Sequence, residues 1–591
     1  MHARNRTWLL GSDPVERCRQ RTLPVEGGDG STLSLDFTTG VLDPRLTFQR
    51  LSNATFINSS GQVKYAEQNL FFNTNFAGIS GSNPTLSNVG WSYGFTAGTA
   101  TFNGDGSVTM SASGGRYTIN RTTSFTGSGR RIIVSVDITS NGDTGLIPTQ
   151  LLRDGTLTNS VYYINSNLYT SGTVVGPCTL TFVADSPTAA NSTPFFGVGT
   201  SGNVTATVTF ARPRFGLWDG TFPLPYVVNT SSGASPSEYH APRFDYDPTS
   251  IGTPRGLLIE GSANNICTWS QDFSNAAWQL DNAGASNPQV STVPQTAPDG
   301  TNSVNRITFN KTGGTYSSIR QTLTGTAAAN YTLSVWMKAY TAGGGASTQN
   351  VGLRIGADSS GFNCVVTTTW KRFQYTYALS GTNADAQIML WDNITGNDET
   401  ADVLIWGAQL EAGSGASSYI PTGASTGSRV ADSCTIGVDA GTATNFSSWW
   451  PLGQAAWTVL WTGDIVRATT AVQFLWLTRT SGGSSLIRVF ANSTSGQPLI
   501  GFAGNTVPPA STVNGTPGAL IRTALANQEG DQAFYANNGT VSSSGTATFT
   551  GIPTTSANMN FNPNSDQFMH IKTLKFWPTR LPNAQLQSLT T

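Results

Sequence analysis

Short strand-like runs, some alternating apolar and polar residues and some continuously apolar, recur along most of this chain. RIIVSVDIT (131–139), VTATVTFARPRF (204–215), YTLSVWMKAY (331–340), FQYTYALS (373–380), AQIMLWD (386–392) and DVLIWGAQLE (402–411) are set apart by turns rich in Gly, Asn and Ser. A period of two sends successive side chains to opposite faces of a strand, so these runs predict half-buried strands. The longer period of an amphipathic helix is scarce, and many short strands at this spacing predict an all-β chain of several sandwiches of the jelly-roll kind in series. In LTFQRLSNATFINSSG the alternation ends at Ser59-Ser60-Gly61, which predicts a hairpin. Asn537-Asn538-Gly539 marks a tight turn between two strands. The stretch MHIKTLKFWPTRLPNAQLQSL predicts a strand through Phe576, then a short C-terminal helix with Asn583 as N-cap and Leu586 and Leu589 on its buried face.

One frame occurs twice. Leu410, Gly413 and Tyr419 in LIWGAQLEAGSGASSYIPT have the spacing of Leu217, Gly220 and Tyr226 in RFGLWDGTFPLPY. Each copy closes a block with a similar opening, Asn69-Leu70 in the first and Asn265-Ile266 in the second, and Ser135-Val136 matches Ser334-Val335 inside them. A β-rich module is therefore repeated. The resulting division is an N-terminal arm (1–31), a hairpin segment (32–66) continued at 231–262, a first module (67–230), a second module (263–430) and a third sandwich (431–591). A chain of 591 residues has room for these parts.

Composition narrows the function. Only 11% of residues are charged, the formal net charge is -1, and the 64 glycines and abundant Ser, Thr and Asn must cover the surface. Capture of nucleic acid or of an anionic membrane needs dense Lys and Arg, so neither partner is expected. Cys18, Cys178, Cys267, Cys364 and Cys434 are scattered and never spaced as C-x-x-C, which predicts free thiols rather than a zinc site or a disulfide framework. Near the N-terminus Trp8, Leu9 and Leu10 form the longest apolar run, too short for a leader, and no long apolar stretch follows, so neither export by a cleaved leader nor membrane insertion is expected. Arg4, Arg6, Arg17, Arg19 and Arg21 make the arm basic, either as a solvated tail or as an anchor on an acidic neighbour.

Three segments together resemble a known family. LDPRLTFQRLSNATFINSSGQVKYA, APRFDYDPTSIGTPRGLLIEGSANNICTWSQDFSNAAW and WGAQLEAGSGASSYIPT are similar to consecutive pieces of phage virion structural proteins, of the tail-fibre, head-fibre or decoration type, that carry carbohydrate-binding-module-like and concanavalin A-like or laminin-G-like domains. In those relatives the first piece runs directly into the second. Here about 170 residues separate them, so module one reads as an insertion bordered near Ala66 and His240. The closing IKTLKFWPTRLPNAQLQSL resembles the usual end of a laminin-G or concanavalin-type sandwich. The resemblance implies a virion component assembled in the host cytoplasm, with other virion proteins and further copies of itself, as a trimer, for partners.

Sugar binding by sandwiches needs an aromatic ring against the apolar face of a pyranose, flanked by polar side chains for the hydroxyls. Candidates in module two are Trp278, Trp336, Trp370 and Trp391, with Asp392 and Asn393 beside the last; in module one they are Trp91, Tyr93, Tyr162 and Tyr163. Trp406, Trp457 and Trp461 sit in apolar runs and are read as core. Host-surface polysaccharide is then the expected ligand, with an architectural part that binds only virion proteins as the alternative and a polysaccharide depolymerase, disfavoured by the absence of long parallel β-helix repeats, as the last reading. No catalytic residue, and no enzymatic activity, is expected. GASTG (423–427) lies in a Ser/Gly/Thr linker, no H-E-x-x-H or Walker loop occurs, and Asp245 and Asp247 in FDYDP read as turn caps rather than a glycosidase pair. No cofactor is expected; related sandwiches often hold Ca²⁺, to which Asp299 or Asp402 could contribute, yet no run of oxygen ligands is visible.

Overall fold

The computed structural model describes residues 28–69, 74–76, 79–86, 91–120, 131–154, 158–185, 194–218, 239–302, 304–342, 344–437, 449, 456–467, 472–479, 487–491, 499–502, 513–514, 518–528, 530–537, 539–544, 557–561 and 568–591. The all-β reading holds, with the strand pairings of the sheets described below antiparallel and a short helix, Asn583–Leu589, at the end. Arg4, Arg6, Arg17, Arg19, Arg21, Gly220 and Tyr226 lie outside the described residues. The chain forms two compact units, one within Glu67–Tyr239 and one that joins Glu26–Ala66 to His240–Thr591.

The first unit is a ten-stranded sheet. Its long strands Ser107–Asn120, Arg131–Asp143, Val175–Asp185 and Val204–Leu217 bury Val108, Met110, Leu180, Phe182, Val208 and Phe210, and Ile132 through Ile138 are buried at every position, so both faces of that strand are covered. Register shifts interrupt several of its pairings, the bulges by which long strands bend.

The second unit holds two sandwiches. Ten strands of the first are labelled here: β1 (Gln279–Ala283), β2 (Ser286–Val293), β3 (Val304–Asn310), β4 (Tyr316–Gln321), β5 (Asn330–Ala339), β6 (Thr348–Ile355), β7 (Phe362–Thr367), β8 (Lys371–Ala378), β9 (Ala386–Trp391) and β10 (Thr400–Ala412). They make two five-stranded sheets, β1-β4-β9-β6-β7 and β2-β3-β10-β5-β8. Ile319, Leu333, Val335, Leu353, Ile388, Val403 and Leu410 fill the space between them. The closing motif is structural: Gly407 has φ 69, and a β-carbon there would crowd the ring of Trp336 at 3.0 Å. Tyr419 packs on Trp336 and Trp406 and its hydroxyl meets that of Ser270 at 2.7 Å.

The second sandwich recruits strands from far away in sequence. Leu33–Asp36 and Pro254–Glu260 both pair with Phe568–Trp577, and Leu46–Gln49 pairs with Ser433–Gly437. Thr55–Ile57 and Val63–Tyr65 form the hairpin across Ser59-Ser60-Gly61. Gly256, at φ 98, allows the close docking of its strand, since a β-carbon would stand 2.1 Å from the Ile571 carbonyl. Trp449, Trp457, Trp461, Phe576 and Leu35 build the core. Leu586 of the helix is buried and Leu589 packs beside it, but the N-cap position belongs to Pro582; Asn583 is the first helical residue, and its side chain accepts from Arg580 instead. The four described cysteines, Cys178, Cys267, Cys364 and Cys434, are buried and free.

A charged cluster with no solvent exposure to speak of ties these segments together. Arg243 donates to Glu260, to the Thr55 carbonyl at 2.9 Å, to Ser418 at 2.8 Å and to Asp432 at 2.6 Å. Arg50 reaches Asp432 at 3.0 Å and the Ala241 carbonyl at 2.9 Å. Arg429 donates to the Gly261 carbonyl at 2.6 Å. Burial disfavours the Glu260 carboxylate, but Arg429, Arg243 and two Ser418 donors pull its pKa down to about 2. A second cluster holds His570 between Asp464 and Asp245, both at 2.8 Å. Burial opposes protonation of His570 and Arg255 adds to the opposition, yet Asp464 and Asp245 outweigh them and raise its pKa above 6.5.

Two outcomes follow from these clusters. Arg243→Met keeps the volume but removes one cationic partner from each of two buried carboxylates, Glu260 and Asp432, and should lower the unfolding free energy of this unit by about 3–5 kcal/mol in urea titration; a change under ~1 kcal/mol would show that Arg429 and Arg50 suffice to hold them. The raised His570 pKa gives stability that is present below 6.5 and lost as pH rises through its folded value. The lowered Glu260 pKa gives stability that is present above 4.5 and lost as pH falls towards 2. Melting temperature should therefore be highest between 4.5 and 6.5 and fall on both sides, and His570→Gln should flatten the alkaline limb.

Candidate functional site

Strand alternation builds a polar face on the outside of the sheet β1-β4-β9-β6-β7. In β9, Ile388 and Leu390 enter the core while Gln387, Met389 and Trp391 point outwards; in β4, Ile319 enters the core while Tyr316, Ser318 and Arg320 point outwards. The register sets Tyr316 opposite Trp391, Ser318 opposite Met389 and Arg320 opposite Gln387. Gln387 in turn faces Arg354 on β6, and Ser318 faces Asp281 on β1. With Gly356, Ala357, Asn383 and Asp385 these residues line a cavity of about 460 Å³.

Its side chains are held in place by one another. Arg320 lies 3.3 Å from Asp281 and 3.2 Å from Asp385, and Asp385 also accepts from the Leu323 N–H at 3.1 Å. Arg354 donates from Nε to the Asp358 carbonyl at 2.6 Å and from Nη1 to Gln387 Oε1 at 3.0 Å. Its guanidinium stacks 4.6 Å from the centre of the half-buried Trp391 ring, a cation–π contact. Burial and the neighbouring Asp281 raise the pKa of Tyr316, so its hydroxyl stays protonated as a donor. An indole edge beside carboxylates, carboxamides, a phenol and a guanidinium suits a ligand with an apolar ring face and a hydroxyl-bearing rim.

Several expected glycan contacts are corrected. Trp278 is 3% exposed, stacks on Phe273 at 4.7 Å and donates its N–H to the Trp269 carbonyl. Trp336 is 6% exposed because the segment after β10 covers its side of the sheet with Trp406 and Tyr419, while Arg372 lies 4.4 Å over its ring. Trp91 is 2% exposed and packs on Phe76 and Phe196. These three are core residues. Trp370 is half-buried against the Trp336 cluster, with its N–H on the Thr296 carbonyl, and does not line the cavity. Asp392 and Asn393 follow the last residue of β9, turn away to Lys311 and to the Ser359 carbonyl, and do not line it either.

Module one brings no joint platform from its tyrosines. Tyr93 bonds the Pro84 carbonyl and packs on Tyr117, whereas Tyr162 leans on Phe182 five strands away, roughly 24 Å along the sheet at about 4.8 Å per strand. Tyr163, next to Tyr162 in the strand, faces the opposite side. Trp391 alone joins the cavity. Asp281, Tyr316, Arg320, Arg354, Asp385 and Gln387 escaped the aromatic search, though the period of two in AQIMLWD already set Gln387 on the face of Trp391.

The carboxylates considered for chemistry have other occupations. Asp247 caps a turn by accepting from Thr249, while Asp245 holds His570. Asp299 accepts from Thr301, and Asp402 forms a two-bond pair with Arg306.

No family model and no curated protein matches this chain. Among solved structures it is similar to the enzymatically active domain of tailspike protein 4 of bacteriophage CBA120, with 18% identity over 25% of this chain and 21% of that one, at a TM-score of 0.20. It is similar to the N-terminal tandem CBM22 domain of Paenibacillus barcinonensis Xyn10C, with 10% identity over 59% of this chain and 98% of that one, at 0.20. It is similar also to Trypanosoma rangeli sialidase, with 10% identity over 93% of this chain and 99% of that one, at 0.23. The expectation of a chain without enzymatic activity is overturned by this set, in which enzymes stand beside binding modules. Likenesses this distant assign neither an activity nor a substrate.

Core and face tryptophans should part company in a stability measurement. Trp336→Ala should cost about 3–5 kcal/mol, as large core truncations do. Trp391→Ala, on an outer face, should cost less than about 1.5 kcal/mol and leave the circular dichroism spectrum unchanged. Equal losses in chemical denaturation would remove the distinction.

Proposed function

We propose that this protein binds glycan chains through the outer face of the sheet β1-β4-β9-β6-β7, as part of a phage virion appendage that contacts host-surface polysaccharide. One observation carries the reading: the cavity of about 460 Å³ pairs the Trp391 ring with a polar rim held in place by its own hydrogen bonds. That arrangement suits a sugar and does nothing for the core, which lies on the other side of the sheet. The virion location rests on the resemblance of roughly residues 32–591, most specific around 242–278 and 402–422, to phage structural proteins, and with it come virion proteins and further copies of the chain as partners, the basic arm serving as the anchor.

A single stacking contact contributes about 0.5–1.5 kcal/mol beyond burial, so one face binds weakly. Copies on a particle would raise avidity by roughly 10²–10⁴ where the faces engage one polymer together.

Binding of the full chain to a glycan array, followed by affinity electrophoresis with the retained polysaccharides, tests the proposal. Trp391→Ala should weaken retention by about tenfold while Trp370→Ala leaves it unchanged. Failure of the wild-type chain to retain any glycan would sink the reading.

A further inference from the structure

Four charged side chains line the cavity: Asp281, Asp385, Arg320 and Arg354. Arg320 touches both carboxylates, at 3.3 and 3.2 Å, so these three form a closed group with one net negative charge. Arg354 is different, because the acceptors it meets, the Asp358 carbonyl and the Gln387 carboxamide, are both neutral. Its partner ring, Trp391, is also neutral. A guanidinium has five N–H donors, and two are engaged here, which leaves one on Nη1 and both on Nη2.

From this geometry we infer that the cavity takes a saccharide bearing a carboxylate, gripped by the free Nη1–Nη2 edge of Arg354 while its ring lies beside Trp391. The inference rests on the glycan-binding reading of the same face and adds the class of sugar.

Three features favour a carboxylate over a plain hydroxyl. First, charge-assisted bonds to a guanidinium are roughly twice as strong as neutral ones, and a carboxylate matches the fork with two parallel bonds. Second, the fork is fixed before the ligand arrives, by Nε on the backbone, by Nη1 on Gln387 and by the indole beneath, so little side-chain freedom remains to be lost. Third, both lining carboxylates are already paired: Arg320 lies 3.3 Å from Asp281 and 3.2 Å from Asp385, which reduces the repulsion that a bound carboxylate meets.

Uronates and sialates share this carboxylate, and the experiment separates them. Full-length protein is titrated calorimetrically with polygalacturonate and with polysialic acid, each beside its carboxyl-reduced form, which keeps the rings and removes the charge. One of the two acidic polymers should bind, with affinity falling about 10- to 100-fold on carboxyl reduction and by a similar factor in Arg354→Gln. Arg354→Lys, which keeps the charge without the fork, should fall between. Circular dichroism and urea midpoints of the variants establish that they fold. Equal affinity for acidic and reduced polymers, or wild-type affinity in Arg354→Gln while Trp391→Ala loses binding, would overturn the inference and leave the glycan reading standing. Retention of no glycan by the wild-type protein, acidic or neutral, would overturn both.

Discussion

The buried cluster of Arg50, Arg243, Glu260, Arg429 and Asp432 is the constraint on which the second unit depends. Its members come from three stretches that are remote in sequence, and the carboxylate oxygens are saturated by donors from all of them. Taking such groups out of water costs several kcal/mol each, and the loss is recovered only when every partner is present. A partly assembled junction is therefore worse than none. The cluster adds little net stability compared with an apolar core of equal volume, but it penalises every arrangement in which residues 50, 243 and 432 fail to meet.

This has a consequence for how an interrupted chain folds. Residues 26–66 and 240–262 belong to one compact unit although the whole of Glu67–Tyr239 lies between them in sequence. Arg50 reaches the Ala241 carbonyl and Arg243 reaches the Thr55 carbonyl, so the two sides of the interruption are bonded to each other directly. Closing a long loop costs only about 0.6 kcal/mol for each doubling of its length, which the bonds at the junction offset. An intervening unit that buries its own core, as the ten-stranded sheet does, adds no further demand. Two of the recruited strands then do local work: without Leu33–Asp36 and Pro254–Glu260, which both lie against Phe568–Trp577, that strand's backbone groups would be left unpaired on one side.

Much of the strand content was legible because the period of two is a local property of each strand. FQYTYA in β8 and VTATVTF in the first unit announce themselves without knowledge of their neighbours. The partners were not legible. Nothing in LSLD says that it will pair with a strand more than 500 residues later, since register is chosen by the other strand as well. The same limit misled the aromatic search. Trp336 and Trp391 both stand at strand positions that face away from the sandwich core, and the sequence around each looks alike. One is covered by the closing segment with Trp406 and Tyr419, and the other is left at a cavity. Which face of a sheet is covered depends on a segment that arrives from elsewhere. The N-cap at Asn583 failed for a local reason: Pro582 takes the cap position and Arg580 captures the Asn583 side chain.

Aromaticity reached the site through Trp391 alone, and charge marks the rest of it. With only 11% of residues ionisable, this chain covers its surface with small polar groups, so charges on adjacent strands need an explanation. Most have one inside the fold: the junction cluster, the His570 pair, and the bond from Arg306 to Asp402. Each of those groups serves packing and is balanced where it stands. Arg354 is not accounted for in this way, because its strand neighbours are neutral and the core behind β6 is filled by Leu353 and Ile355. Alternation alone sets Tyr316 with Arg320 on β4 and Gln387 with Trp391 on β9, and the register then brings Arg354 beside them.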